Sequence, residues 1–139
     1  MEASDPRLLN GIEINEHGLQ ILSARLLKED GSLLEAGNPV DVGEIIYCQL
    51  FIAGWHVEHG IVKPGASEII QTKEKEIILG EEDLFKSVTG ASEEDARVVT
   101  LRAGITNITN SATEFEVIFR VWDKVSKAEL SGSFTFHLR

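Results

Sequence analysis

The chain has 139 residues, enough for one compact domain whose core needs neither a disulfide nor a metal to fold. Its 13 Lys plus Arg stand against 23 Asp plus Glu, and the basic residues are scattered, so a formal charge of -10 argues against binding a nucleic-acid backbone or an anionic membrane surface. Hydrophobic residues at 42% and charged residues at 26% are globular values, and every apolar run falls far short of the ~20 residues of a bilayer span.

The first residues, "MEASDPRLLNG", carry acids where a signal peptide has a basic segment, and no apolar stretch follows. A cytoplasmic protein and an excised extracytoplasmic domain both fit, and the oligomeric state is left open. Residues 1–15 read as an N-terminal extension or short first strand, partly flexible, and 16–139 as a single domain.

In "GLQILSARLLKEDGSLLEAG" the residues Leu19, Leu22 and Leu26 have helical spacing, but Asp30-Gly31 is a hairpin turn signal between two apolar runs. Strand, turn, strand is the reading favoured by the β character of the rest. "EIIYCQLFIAG" alternates, placing Ile46, Cys48, Leu50 and Ile52 on one face and Tyr47 and Phe51 on the other. Cys48, the one cysteine, is read as a buried structural thiol; a lone thiol excludes an internal disulfide and a multi-thiolate metal site.

"GWHVEHGIVKPG" follows, with two of the four histidines. As a strand running into a Lys63-Pro64-Gly65 turn, it sets Trp55, Val57 and His59 on one face and His56 with Glu58 on the other. "SEIIQTKEKEIILG" reads as a hairpin with a charged tip that keeps an edge soluble. "GEEDLFKSVTG" reads as a short helix with acids in its first turn, and Ser92 with Asp95 as the cap of a second turn.

Inward sets then recur: Val99, Leu101, Ala103 and Ile105; Phe115, Val117, Phe119 and Val121; Leu130, Phe134, Phe136 and Leu138. The last two runs, joined by "DKVSKA", form the clearest hairpin. Asn107-Ile108-Thr109 matches the N-glycosylation pattern but is read as a chance match. Seven to nine strands about ten residues apart predict an all-β fold, an antiparallel β-sandwich of immunoglobulin-like or related Greek-key type, with at most one or two short helical turns.

For chemistry, Tyr47, Phe51, Trp55 and Trp122 need not all fit one core, the other reading being that they pack beneath loops, and aromatic residues are enriched where proteins hold partners or sugars. Trp55, His56, Glu58 and Trp122 are the candidate binding residues. Two cation readings compete: His56 and His59 with Glu58, or the acids Glu81, Glu82 and Asp83 meeting Glu93, Glu94 and Asp95 as a calcium site. The helical H-x-x-x-H pair, nucleophile elbow, Walker loop, dinucleotide fingerprint and EF-hand spacing are all missing. The leading expectation is a non-catalytic interaction or ligand-binding module with protein or carbohydrate contacts and no cofactor. The alternative is a small metal-dependent protein or enzyme built on His56, Glu58 and His59.

Overall fold

The computed structural model describes residues 6–85, 89–105 and 113–138. Its strands are β1 (Glu13–His17), β2 (Gln20–Leu27), β3 (Pro39–Val40), β4 (Ile46–Ala53), β5 (Ile61–Val62), β6 (Pro64–Thr72), β7 (Ile77–Glu81), β8 (Ala91–Ser92), β9 (Val98–Ala103), β10 (Glu114–Asp123) and β11 (Glu129–Leu138). One helical turn, α1 (Glu93–Ala96), stands between β8 and β9, capped by the Ser92 hydroxyl accepting from the Asp95 N–H at 3.1 Å. The capping predicted for Ser92 is therefore present.

Two sheets make the fold. The larger runs β1-β11-β10-β6-β7, with β3 parallel to β11; the smaller runs β2-β4-β9; β5 and β8 form a separate short ladder. The other pairings are antiparallel. Period-2 alternation decides what lies between the sheets, because each strand sends every second side chain inward. Ile46, Cys48, Leu50 and Ile52 of β4 are buried against Phe115, Val117, Phe119 and Val121 of β10 and their β11 neighbours in one core. Phe115 stacks on Phe136 across the β10–β11 hairpin, ring centroids 5.3 Å apart. The fold is an all-β sandwich, and the inward residues read for β4, β9, β10 and β11 are those it buries.

Differences from the sequence reading have local causes. After β2 the chain does turn at Asp30-Gly31, where Asp30 Oδ1 accepts from the Ser32 N–H and hydroxyl, but the returning arm makes one bridge, Leu27 to Leu33. It then leaves the small sheet and pairs as β3 with β11. Leu22, which mimicked a helical repeat, sits at the irregularity between Ile21 and Ser23 and is 53% exposed. The helix expected over 80–90 is not formed in its described part: Gly80 and Glu81 end β7 and a turn follows at Leu84 and Phe85, while 86–88 lie outside the described residues. The Asn107 glycosylation pattern also lies outside them.

The N-terminal stretch is tied in. Asn10 Nδ2 donates to Leu34 O, its Oδ1 accepts from the Leu26 N–H, and buried Asn38 donates to Asn10 O and Thr135 O. Two asparagines thus satisfy backbone groups where three segments meet. β1 closes one edge of the large sheet by pairing with β11, across the boundary placed at residue 15.

Candidate functional site

The two-histidine stretch resolves into scaffold. β4 ends at Ala53, so Trp55, His56 and Val57 are irregular rather than a strand, and the turn lies at His59-Gly60 instead of Pro64-Gly65, which begin β6. His59 and Gly60 have φ of 54° and 76°, and Glu58 and Ile61 exchange two backbone hydrogen bonds of 3.0 Å. This is the two-residue hairpin turn with both central residues left-handed, a conformation that histidine tolerates better than most side chains. His59 is therefore a turn residue. His56 Nε2 lies 3.7 Å from Glu58 Oε2, both side chains exposed, and His59 does not join them.

Asp123 explains why the chain takes this path. Fully buried, it accepts the His56 N–H at 2.6 Å on one oxygen and the Val125 and Ser126 N–H groups at 2.8 and 3.1 Å on the other. Burial would raise its pKa, but these backbone donors outweigh burial and hold it below the ordinary carboxylate value. Trp55 packs half-buried on the core, its indole N–H buried without a partner among the described residues. Trp122 is half-buried too: its ring lies across Gly65, where a Cβ would run into it, and the Arg120 guanidinium sits 4.7 Å over the ring while bonding Glu129 at 2.7 Å. The broad face of Trp122 is thereby occupied.

The acidic candidates do not converge. Glu81 and Glu82 are exposed. Asp83 is spent on structure, with Oδ1 accepting from the Phe85 and Ala66 N–H groups and Oδ2 3.1 Å from Lys124. Among the described residues no three of His, Cys, Asp and Glu come within reach of one metal, and His56, His59, Glu81, Glu82 and Asp83 make no joint cation site.

Two further surfaces among the described residues bear on binding. A groove of about 370 Å³ at one end of the large sheet is lined by Lys73, Lys75, Glu114, Glu116, Thr135 and His137. Its charges are already matched, Lys73 to Glu114 at 3.1 Å and Lys75 to Glu116 at 3.2 Å, and Gln71 also donates to Glu116.

The outer face of the small sheet differs in kind. Registry sets Leu27, Tyr47 and Arg102 in one rung, Arg25, Gln49 and Thr100 in the next, and Ser23, Phe51 and Val98 in the third. Tyr47, Gln49 and Phe51 are half-buried; Arg25, Thr100 and Arg102 are exposed. Arg25 lies 5.7 Å from the Phe51 ring centre and Arg102 5.7 Å from that of Tyr47, while Arg25 Nε donates to Gln49 Oε1 at 2.8 Å. Alternation placed Tyr47 and Phe51 outward from the sequence alone. Arg25 and Arg102 were missed, because only the pairing of β2 and β9 with β4 brings them beside the rings.

Its two stacked sheets put the chain among β-sandwich proteins. It is similar to a solved structure, the C-terminal domain of wzt, with a TM-score of 0.60 over 97% of this chain and 82% of that one. At 10% identity the likeness concerns the fold. Comparison with family models and with curated protein sequences finds no match.

Proposed function

We propose that the chain is a non-catalytic carbohydrate-binding module whose binding surface is the outer face of β2, β4 and β9. The observation that carries this reading is the row Tyr47, Gln49, Phe51 on one face of β4, flanked by Arg25 and Arg102. Four residue steps along β4 separate the two rings by roughly 13 Å. A sugar ring offers an apolar C–H face and a rim of hydroxyls. Aromatic side chains meet the first, while planar amide and guanidinium groups meet the second with paired hydrogen bonds.

The face carries no strand residue that is a carboxylate or a histidine, so it lacks the two acids that glycoside hydrolysis uses. Trp55, His56, Glu58 and Trp122 serve the scaffold in this reading. Calorimetric titration against a panel of soluble polysaccharides tests it. The double variant Y47A/F51A is expected to weaken binding by about tenfold or more, since each aromatic contact contributes about 1 kcal/mol. Binding that ignores both rings, or silence across the panel, overturns the reading and turns attention to protein partners.

A further inference from the structure

We infer that the glycan taken by the outer face of β2, β4 and β9 is an acidic polysaccharide, its carboxylates held by Arg25 and Arg102. This rests on the carbohydrate-binding reading and adds the charge of the ligand. Carboxylates outnumber Lys plus Arg 23 to 13, so surface cations have partners in plenty. Lys28, Lys73, Lys75, Arg120 and Lys124 each lie within 4.0 Å of one. Arg25 and Arg102, both exposed, have no carboxylate partner among the described residues; Lys63, Arg97 and Lys127 have none either, but Arg25 and Arg102 lie on one sheet face beside aromatic rings.

Their neighbours position them without neutralising them. Gln49 takes the Arg25 Nε–H through a neutral oxygen, and the rings of Phe51 and Tyr47 attract a cation through their quadrupoles. The two terminal nitrogens of each guanidinium keep the fork that fits a carboxylate with two parallel bonds. Every other outward strand residue of this face, from Ser23 and Leu27 to Val98 and Thr100, is uncharged. The result is a local positive surface on a chain of net charge -10.

Spacing separates the ligand classes. Arg25 and Arg102 stand on the flanking strands one rung apart, roughly 12 Å across the sheet. Two cations so far apart match a polymer whose charges are sparse, one per sugar or fewer. They would neutralise little of a nucleic acid, which carries a charge about every 1.7 Å as a duplex and about every 3.4 Å along one strand, and the rest of this acidic chain would repel it. Screening limits that repulsion to about 8 Å at physiological salt, so the sparse polymer feels the arginines first.

The test compares a polyuronate, the uncharged glucan dextran and oligothymidylate by calorimetry at low and high NaCl, using the whole chain. The polyuronate is expected to bind most tightly and to weaken as NaCl rises from about 50 to about 500 mM. R25Q/R102Q is expected to lose about tenfold or more for the polyuronate, a charge-assisted bond being worth that much, and to weaken dextran far less, since glutamine can still bond hydroxyls but carries no charge. Dextran bound as tightly as the polyuronate, with R25Q/R102Q neutral, overturns the inference while the carbohydrate reading stands. Oligothymidylate bound in preference to both overturns the inference in favour of a nucleic acid. Loss of binding to neither sugar in Y47A/F51A defeats the carbohydrate reading itself. Thermal unfolding of each variant shows that the fold is kept.

Discussion

Asp123 and Glu68 are both carboxylates inside the sandwich, and their surroundings drive them in opposite directions. Asp123 has three backbone donors; Glu68, 3% exposed on the inward phase of β6 opposite Phe119, has a buried oxygen with no partner among the described residues. Burial pushes Glu68 up to about 7, and pushes the Cys48 thiol up as well, with Glu68 adding to that shift. A carboxyl whose pKa is raised on folding destabilises once it must ionise: the penalty starts above the unfolded value near 4.5 and is complete near 7. Asp123, depressed on folding, contributes above its unfolded value near 3.8, and the contribution fades as pH falls below that. Stability is therefore expected to peak near pH 5. Urea unfolding of Glu68→Gln is expected to exceed wild type at pH 8 by up to about 3 kcal/mol and to match it near pH 4.5. A gap that does not change with pH sinks this assignment. Asp123→Ala is expected to cost about 3 kcal/mol at pH 7, because it strands the His56, Val125 and Ser126 N–H groups.

At the scale of elements, the segment from Gly54 to Gly65 shows what governs a short stretch. Its composition suggests a metal site, and its geometry is set by the left-handed pair His59-Gly60 together with the pull of Asp123 on His56. His59→Asn is expected to leave the thermal midpoint within a degree or two, since asparagine also accepts this conformation. His59→Val is expected to lose about 1–2 kcal/mol for a β-branched side chain held left-handed. Zinc is expected to move neither midpoint; a zinc-dependent rise in wild type that His59→Asn abolishes would reinstate the metal reading. The same contrast explains what could be read from sequence. β4, β9, β10 and β11 were legible because alternation is local and each has one inward face. The role of Asp123 is not legible in sequence, since its donors lie 67 residues upstream and across the following turn. Glu68 shares the inward phase with Ala66, Ile70 and Thr72, so the register of β6 against β10 had to be known before its burial could be. The two rings of the proposed site followed from phase on one strand; the arginines needed the neighbouring strands.

Across the whole molecule, one charge distribution acts on two equilibria with opposite sign. The excess of carboxylates is spread over the chain, so folding concentrates like charge and self-repulsion destabilises the compact state. Salt screens that repulsion, and the exposed pairs that salt also weakens, such as Lys28 with Glu35 and Lys73 with Glu114, contribute little to begin with. Added NaCl is therefore expected to raise the thermal midpoint, by about 4 °C if it relieves on the order of 1 kcal/mol. On the outer face of β2, β4 and β9 the same ions screen Arg25 and Arg102 from an anionic ligand and weaken its binding. Scanning calorimetry and titration over one salt series should then show the free protein becoming more stable while affinity for a polyuronate falls. In R25Q/R102Q the two responses separate: the net charge becomes more negative by two, so the stabilisation by salt persists or grows, and the salt dependence of binding disappears. If both responses vanish together in that variant, the arginines act through the fold, and the local positive surface is not what meets the ligand.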